Sequence, residues 1–455
     1  MSTQDASALP EALPPLNLPS DRWDSIQTPF EGDVLSRQRL GRQLTSYLER
    51  LRDGAVISLD APWGEGKTWF ARHWAAELLA NGFRVGCIDA FENDYVEDPF
   101  LLLAAEVRRL SAADQSRAAR LGSKAAQVGK ALMPMATKLT INLVGKAIGT
   151  TDLGDAWEEQ LDKVGEKGAD AAQAWVKRRI ELHDKERDSM RAFHQELEAF
   201  AKGDDDQPVV IIIDELDRCR PAFAVKLLER IKHFFDAPNL VFVLVMNRDQ
   251  LEKAIRGVYG AETNAAAYLG KFLHLSLRLP KVRTLTIDET HNQLQRFVGK
   301  TLERFRYEDP HDQLLLPMTV SAVALDLSLR EIERACALYF LGQQPWHGLM
   351  SFLAALKIKH PDIFEGLRAE DNLQREACYT LVMRARGRSI YDRQSDWAAS
   401  YLRAVAVLLR QPGVNAPGDT EWLEGQLPLL FSNERINDFQ AALKQALRRL
   451  DLDVQ

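Results

Sequence analysis

The stretch Val56–Thr68 constrains this chain more than any other. Val56-Ile57-Ser58-Leu59 is a short apolar run that reads as a buried strand. Ala61-Pro62-Trp63-Gly64-Glu65-Gly66-Lys67-Thr68 follows as a loop, and Trp69 to Leu79 reads as a helix. Strand, glycine loop and helix with Lys-Thr at the junction make the phosphate-binding P-loop pattern. Glycines let successive backbone N–H groups turn inward and cradle an anion, and the helix N-terminus adds partial positive charge. In such a loop Lys67 reaches the β and γ phosphates and the Thr68 hydroxyl ligates Mg²⁺. Residues Ala61 to Trp69 are therefore the candidate nucleotide contacts. The pattern asks for glycine where Ala61 stands, so the turn needs a negative φ there.

A second motif supports the first. Val209-Val210-Ile211-Ile212-Ile213 is a continuous β-branched run, expected of a strand buried on both faces of a parallel sheet. It ends in Asp214-Glu215, a Walker B pair, and is expected to lie beside the P-loop strand. There Asp214 would hold Mg²⁺ and Glu215 would polarise the attacking water. Leu240–Met246 is another apolar strand, ending at Asn247. Asn247 is a candidate sensor of the γ-phosphate or its water, with a helix N-cap as the competing role. Arg330 opens a later helix and is a candidate phosphate contact from a lid, or else a solvated first-turn arginine. Lys271, just ahead of a last strand at 274–279, is a candidate trans-acting finger or a plain surface lysine.

The remaining chain is read around this core. Residues 1–21 contain Pro10, Pro14, Pro15 and Pro19 and read as a mobile tail. Asp33 to Leu51 reads as one amphipathic helix leading into the P-loop strand, near where a base would sit. Phe83–Ala90 reads as a second strand, and Asp98-Pro99 as the N-cap and first turn of a helix through Leu110. Residues 112–206 read as a long helical insertion, with Phe193, Leu197 and Phe200 on one stripe. Its middle, Ala125 to Ile148, is fairly apolar, but Lys130, Lys138 and Lys146 interrupt it and no membrane span is expected. It packs as a helix or helix pair on the core, or lies on a membrane or partner surface. Helices are expected at 221–235, 249–257 and 263–273, and beyond Pro280 the chain reads as wholly helical.

The fold class is thus α/β: a parallel-sheet P-loop NTPase core at 22–280 carrying the insertion, a helical lid at 281–345 and a C-terminal helical domain at 346–455. A net charge of −7 argues against nucleic-acid binding over the whole surface. Four scattered cysteines and the lack of a basic-then-apolar leader lead us to expect a cytoplasmic protein.

Taken together, the two motifs resemble the KAP family of P-loop NTPases. Asp214-Glu215-Leu216-Asp217-Arg218-Cys219-Arg220-Pro221, Phe242 to Arg248 and Tyr268-Leu269-Gly270-Lys271 are similar to that family as well. The similarity covers roughly Asp33 to Phe340. It implies an additional-strand ATPase core with ATP and Mg²⁺. Members often carry transmembrane hairpins within the ATPase domain, and several bacterial ones act in exclusion of phage. This chain departs at the insertion, at Ala61, and at Glu215 and Asn247, where the family often has Asp.

The leading reading is an ATP-hydrolysing switch or remodelling ATPase acting with partner proteins, as a homo-oligomer if Lys271 serves a neighbour. A nucleotide-stabilised scaffold with little hydrolysis is the alternative. A nucleic-acid-acting motor rests on Arg384, Arg386, Arg388 and Arg393 with Tyr391, so nucleic acid stays open as a partner. A small-molecule kinase rests on Asp89, Glu92 and Asp94 after the second strand.

Overall fold

The computed structural model describes residues 26–112, 114–132, 184, 187–203, 207–281, 287–307, 309, 312–342, 346–388, 395–410, 414, 418–431, 436 and 438–451. The expectations for the tail at 1–21 and for most of the stretch from Ala125 to Ile148 lie outside these residues.

Five strands form one parallel sheet: β1 (Ala55–Asp60), β2 (Arg84–Asp89), β3 (Val209–Asp214), β4 (Leu240–Met246) and β5 (Leu275–Arg278). Their order is β2-β3-β4-β1-β5. The expectation that the Walker B strand flanks the P-loop strand is wrong, because β4 lies between β1 and β3. Two strand spacings, roughly 10 Å, therefore separate the two motifs in the sheet. The P-loop and the helix after it pass over the end of β4 and close that gap.

Alternation along β3 and β4 explains why both are apolar throughout. Val209, Ile211 and Ile213, with Phe242 and Leu244, face one hydrophobic cluster. Val210, Ile212, Val241, Val243 and Val245 face another. A period of two with both faces covered leaves no position for a polar side chain. Burying each such Val or Ile contributes about 1.5–3 kcal/mol.

Helices α1 (Gln38–Leu48) and α2 (Lys67–Ala80) cover the second face through Leu44, Leu48, Phe70 and Trp74. Helix α1 is shorter than the expected 33–51 element. The Asp33 carboxylate accepts from the Leu35 and Gln38 N–H groups, and Ser36 takes φ 56°, so residues 33–37 form a turn ahead of the helix.

The other face carries α3 (Pro99–Leu110), α4 (Gln115–Leu132), α5 (residues 187–202) and α6 (Pro221–Phe234). Asp98 caps α3 by accepting from the Phe100 N–H, with Pro99 in the first turn. Leu121, Ala125 and Val128 of α4 join Phe193, Leu197 and Phe200 of α5 in the sheet-facing core. The described ends of the insertion thus pack on the sheet. Among the described residues, no helix is long and apolar enough to cross a membrane.

After β5 the described residues form helices joined by short turns. One continuous core runs from Leu294 to Leu450. It begins with α9 (Ile287–Arg304), α10 (Leu315–Ala324) and α11 (Leu329–Gly342), which come after α7 (Arg248–Tyr259) and α8 (Ala265–Gly270) in the chain.

Candidate nucleotide site

The strands deliver their last residues to one edge of the sheet, where Asp60, Asp89 and Asp214 end β1, β2 and β3. Open parallel sheets bind ligands outside that edge. The P-loop leaves it with the Ala61 N–H donating to the Met246 carbonyl at 3.2 Å, which ties loop to β4. Ala61 is buried and takes no positive φ, so the methyl group at the expected glycine position is accommodated. Gly64 and Gly66 do need their freedom, with φ of 81° and 73°.

A cleft of about 280 Å³ opens over this loop. Gly64, Gly66, Lys67, Thr68 and Trp69 line it, with Glu215 and Arg218 from the end of β3. Val34 and Leu35 line it from the turn before α1, and Phe297, Leu329 and Arg330 from the helical region. Ala61, Pro62, Trp63 and Glu65 shape the loop without lining the cleft.

Lys67 is buried, and its Nζ donates to the Pro62 carbonyl at 3.4 Å. Burial pushes its pKa down, while Asp217, Glu215 and Asp214 act to hold the charge. Thr68 Oγ1 donates to Glu215 Oε1 at 3.2 Å. Glu215 Oε2 lies 2.5 Å from Arg218 Nε. Glu215 itself stands at φ 59°, a left-handed conformation that costs a non-glycine residue about 1 kcal/mol or more. Burial raises its pKa against the pull of Arg218. Asp214 accepts from the Glu215 N–H at 2.8 Å, and burial raises its carboxyl to about 6.

The donor set fits a magnesium–nucleotide complex. One hydroxyl and one or two carboxylates stand together beside a cleft that could admit phosphates. Mg²⁺ is bound by few protein oxygens, with phosphate and water filling the other positions. Among the described residues no cluster of three or more His, Cys, Asp or Glu forms a self-sufficient metal site.

Other predicted residues fall elsewhere. Arg330 lines the cleft, and its N–H donates to the Gly64 carbonyl at 3.2 Å, so α11 docks its first turn on the P-loop. Ser328 and Glu331 form a capping box there, with the Ser328 N–H donating to Glu331 Oε2 at 2.6 Å. Asn247 follows β4 outside the cleft lining, and its Oδ1 accepts from the Gln250 N–H at 3.4 Å. That is the N-cap geometry weighed as the alternative. Lys271 is exposed, with its Nζ 5.9 Å from the Tyr268 ring centre. The neighbouring His274 N–H donates to the Val56 carbonyl, at the start of β1. His274 therefore sits at the end of the sheet opposite the cleft, and Lys271, three residues before it, does not line the cleft.

Asp94 is bound by Arg220 through the side chain and the N–H, at 2.8 Å each, and Asp89 accepts from the Glu92 N–H. These acids hold the loop after β2 together. Arg384 and Arg386 lie near the end of the helix Asn372–Arg388, while Tyr391 and Arg393 are outside the described residues.

Sequence reasoning missed Arg37. It is only 6% exposed, lines the cleft and donates to two P-loop carbonyls. The continuous-helix reading of 33–51 hid it. Trp63, expected as a nucleotide contact, instead donates from Nε1 to Asp217 Oδ2 at 2.5 Å and so links the two motifs.

The sequence matches the profile of the KAP family P-loop domain over residues 40–339, well over half of the chain. The chain belongs to the KAP family of P-loop NTPases. The match takes in the P-loop, both acids at the end of β3, and the α11 residues docked on Gly64. No curated protein matches the chain. Among solved structures, the Aeropyrum pernix ORC2 protein in its ADPNP-ADP complexes is 11% identical, with 92% of this chain and 94% of that chain covered and a TM-score of 0.35. The ADP form of the same protein gives 11% identity, the same coverage and a TM-score of 0.33.

Proposed function

We propose that this KAP NTPase is a Mg²⁺-dependent ATPase that works as a switch on partner proteins. The observation that carries the reading is Glu215, held at the end of β3 within hydrogen-bonding distance of P-loop Thr68. A carboxylate there can take the proton of a water as its oxygen attacks the γ-phosphorus. The bond from that phosphorus to the β–γ bridging oxygen then breaks, giving ADP and phosphate. Lys67 would sit on the β and γ phosphates once it leaves the Pro62 carbonyl. Thr68 and Asp214 would hold Mg²⁺, which neutralises phosphate charge. Arg330, carried on the helix docked against Gly64, would report the nucleotide to the helical region.

Hydrolysis by an assembly belongs to this proposal. Lys271 does not line its own cleft, so a catalytic part for it would call for a neighbouring copy. A role in phage exclusion rests on the family resemblance alone, and a cytoplasmic place on the scattered cysteines. The competing reading, a nucleotide-stabilised scaffold, draws on Glu215 being engaged by Thr68 and Arg218 in the free protein.

Steady-state ATP turnover with Mg²⁺, measured beside ATP binding, separates the two. Turnover that disappears with EDTA supports the ATPase. Tight binding without turnover, at any protein concentration, supports the scaffold.

A further inference from the structure

Arg37 precedes α1 in sequence and meets the P-loop in space. Its Nη2 donates to the Glu65 carbonyl at 2.6 Å and its Nη1 to the Gly66 carbonyl at 3.1 Å. The approach is close: a Cβ on Gly66 would lie 2.5 Å from Nη1. The φ of 73° favours glycine at residue 66, and a Cβ there would push the guanidinium tip aside.

The two carbonyls belong to consecutive peptide units. In a planar trans peptide the N–H points opposite to the C=O. Holding the Glu65 oxygen toward Arg37 turns the Gly66 N–H away from it, while the Gly66 oxygen, and with it the Lys67 N–H, is held jointly by Arg37 and by the Phe70 N–H at 3.0 Å. Both N–H groups are thereby aimed before any ligand arrives. Donors fixed in advance need no reorganisation when an anion binds.

Charge adds to geometry. The hydrogen-bond partners of Arg37 are neutral carbonyls, and the guanidinium is buried. Burial pushes its pKa down to about 10, with Glu65 and Asp33 favouring the charged form, so it remains a cation at neutral pH. A fixed positive charge then stands beside the loop, in the wall of the cleft.

We propose that Arg37 is a positioning residue that pre-forms the phosphate cradle, acting on the polyphosphate of the nucleotide rather than on its base. The inference rests on the reading of the cleft as a nucleotide site.

The test compares ATP with inorganic tripolyphosphate, a probe without a base, by titration calorimetry on the full chain. Arg37→Met is expected to weaken both ligands by the same factor, tenfold or more. The unfolding midpoint without ligand is expected to stay within a few degrees of wild type. Arg37→Lys keeps the charge but not the two-pronged donor, and is expected to fall between the two. Unchanged affinity for both ligands in Arg37→Met would overturn the proposal. So would weaker ATP binding with unchanged tripolyphosphate binding, which would place Arg37 on the base side. If Arg37→Met does not fold, wild-type tripolyphosphate affinity in Arg37→Lys overturns the two-carbonyl strut. Wild-type protein that binds neither ligand would instead remove the nucleotide reading and, with it, this inference.

Discussion

Thr68 Oγ1 and Glu215 Oε1 are 3.2 Å apart, although the strands that lead to them, β1 and β3, are not neighbours in the sheet. The hydroxyl proposed to ligate Mg²⁺ is therefore bonded to the carboxylate proposed to activate water. Arg218 holds the other oxygen of the same carboxylate. Binding of a magnesium–nucleotide complex would take Thr68 from Glu215 and leave that oxygen free for a water. The free-protein geometry thus places the acid near its task while keeping it occupied.

Arg218 lowers the Glu215 pKa that burial raises. Removing it in Arg218→Met leaves burial less opposed, and the carboxyl titrates at higher pH. A base must be deprotonated to act, so the acid limb of the turnover profile is expected to move upward in pH. A pH–rate profile for the two proteins checks this, and a fixed acid limb would remove Arg218 from the account.

Asp214 is raised from an ordinary 3.8 to about 6, chiefly by burial. The folded state therefore favours the protonated form. That contribution to stability is present below about pH 4 and is lost as pH rises through 6. Mg²⁺ needs the carboxylate. ADP affinity in the presence of Mg²⁺ is expected to fall by up to about tenfold per unit below pH 6. ADP affinity in EDTA is expected to change much less. Titrations at pH 5 and 7 give the comparison.

Lys67 is a buried cation facing a cleft. Lys67→Met is expected to leave the unliganded protein folded and to weaken ATP roughly 10- to 100-fold, the scale of a lost charge-assisted contact. Calorimetry with a parallel melting curve distinguishes loss of affinity from loss of fold.

A Cβ on Gly64 would stand 2.7 Å from Ser328 Oγ and 3.2 Å from Arg330 Cβ, at a φ of 81°. Gly64→Ala is expected to cost about 1–2 kcal/mol from the left-handed backbone alone. It should also push the first turn of α11 off the loop. Denaturant unfolding measures the first effect. Protease cleavage near 328–330 in the folded protein measures the second.

The sheet was legible because its strands carry their burial in their composition. Val209–Ile213 and Leu240–Met246 have no polar residue to mislead, and Asp98-Pro99 states its own helix start. Strand order was less legible, since adjacency depends on the crossover of the chain and not on strand composition. Asp214 and Glu215 could be found as acids at a strand end, yet their reach to Thr68 depends on α2 passing over β4. Arg37 was hidden for a different reason. An arginine at the head of an amphipathic segment has the same local pattern whether it faces water or a P-loop 29 residues later. Asn247 shows the reverse case: the position predicted for a sensor is held in a helix cap, a role the sequence permits equally.

The most direct test of the account is one comparison on Glu215→Gln, in which ATP affinity and single-turnover hydrolysis are measured with Mg²⁺ at saturating nucleotide. ATP affinity is expected to stay close to wild type and hydrolysis to slow at least about a hundredfold, the scale of a lost general base. Hydrolysis near the wild-type rate in a variant that binds ATP normally would contradict it and move the chemistry to another residue.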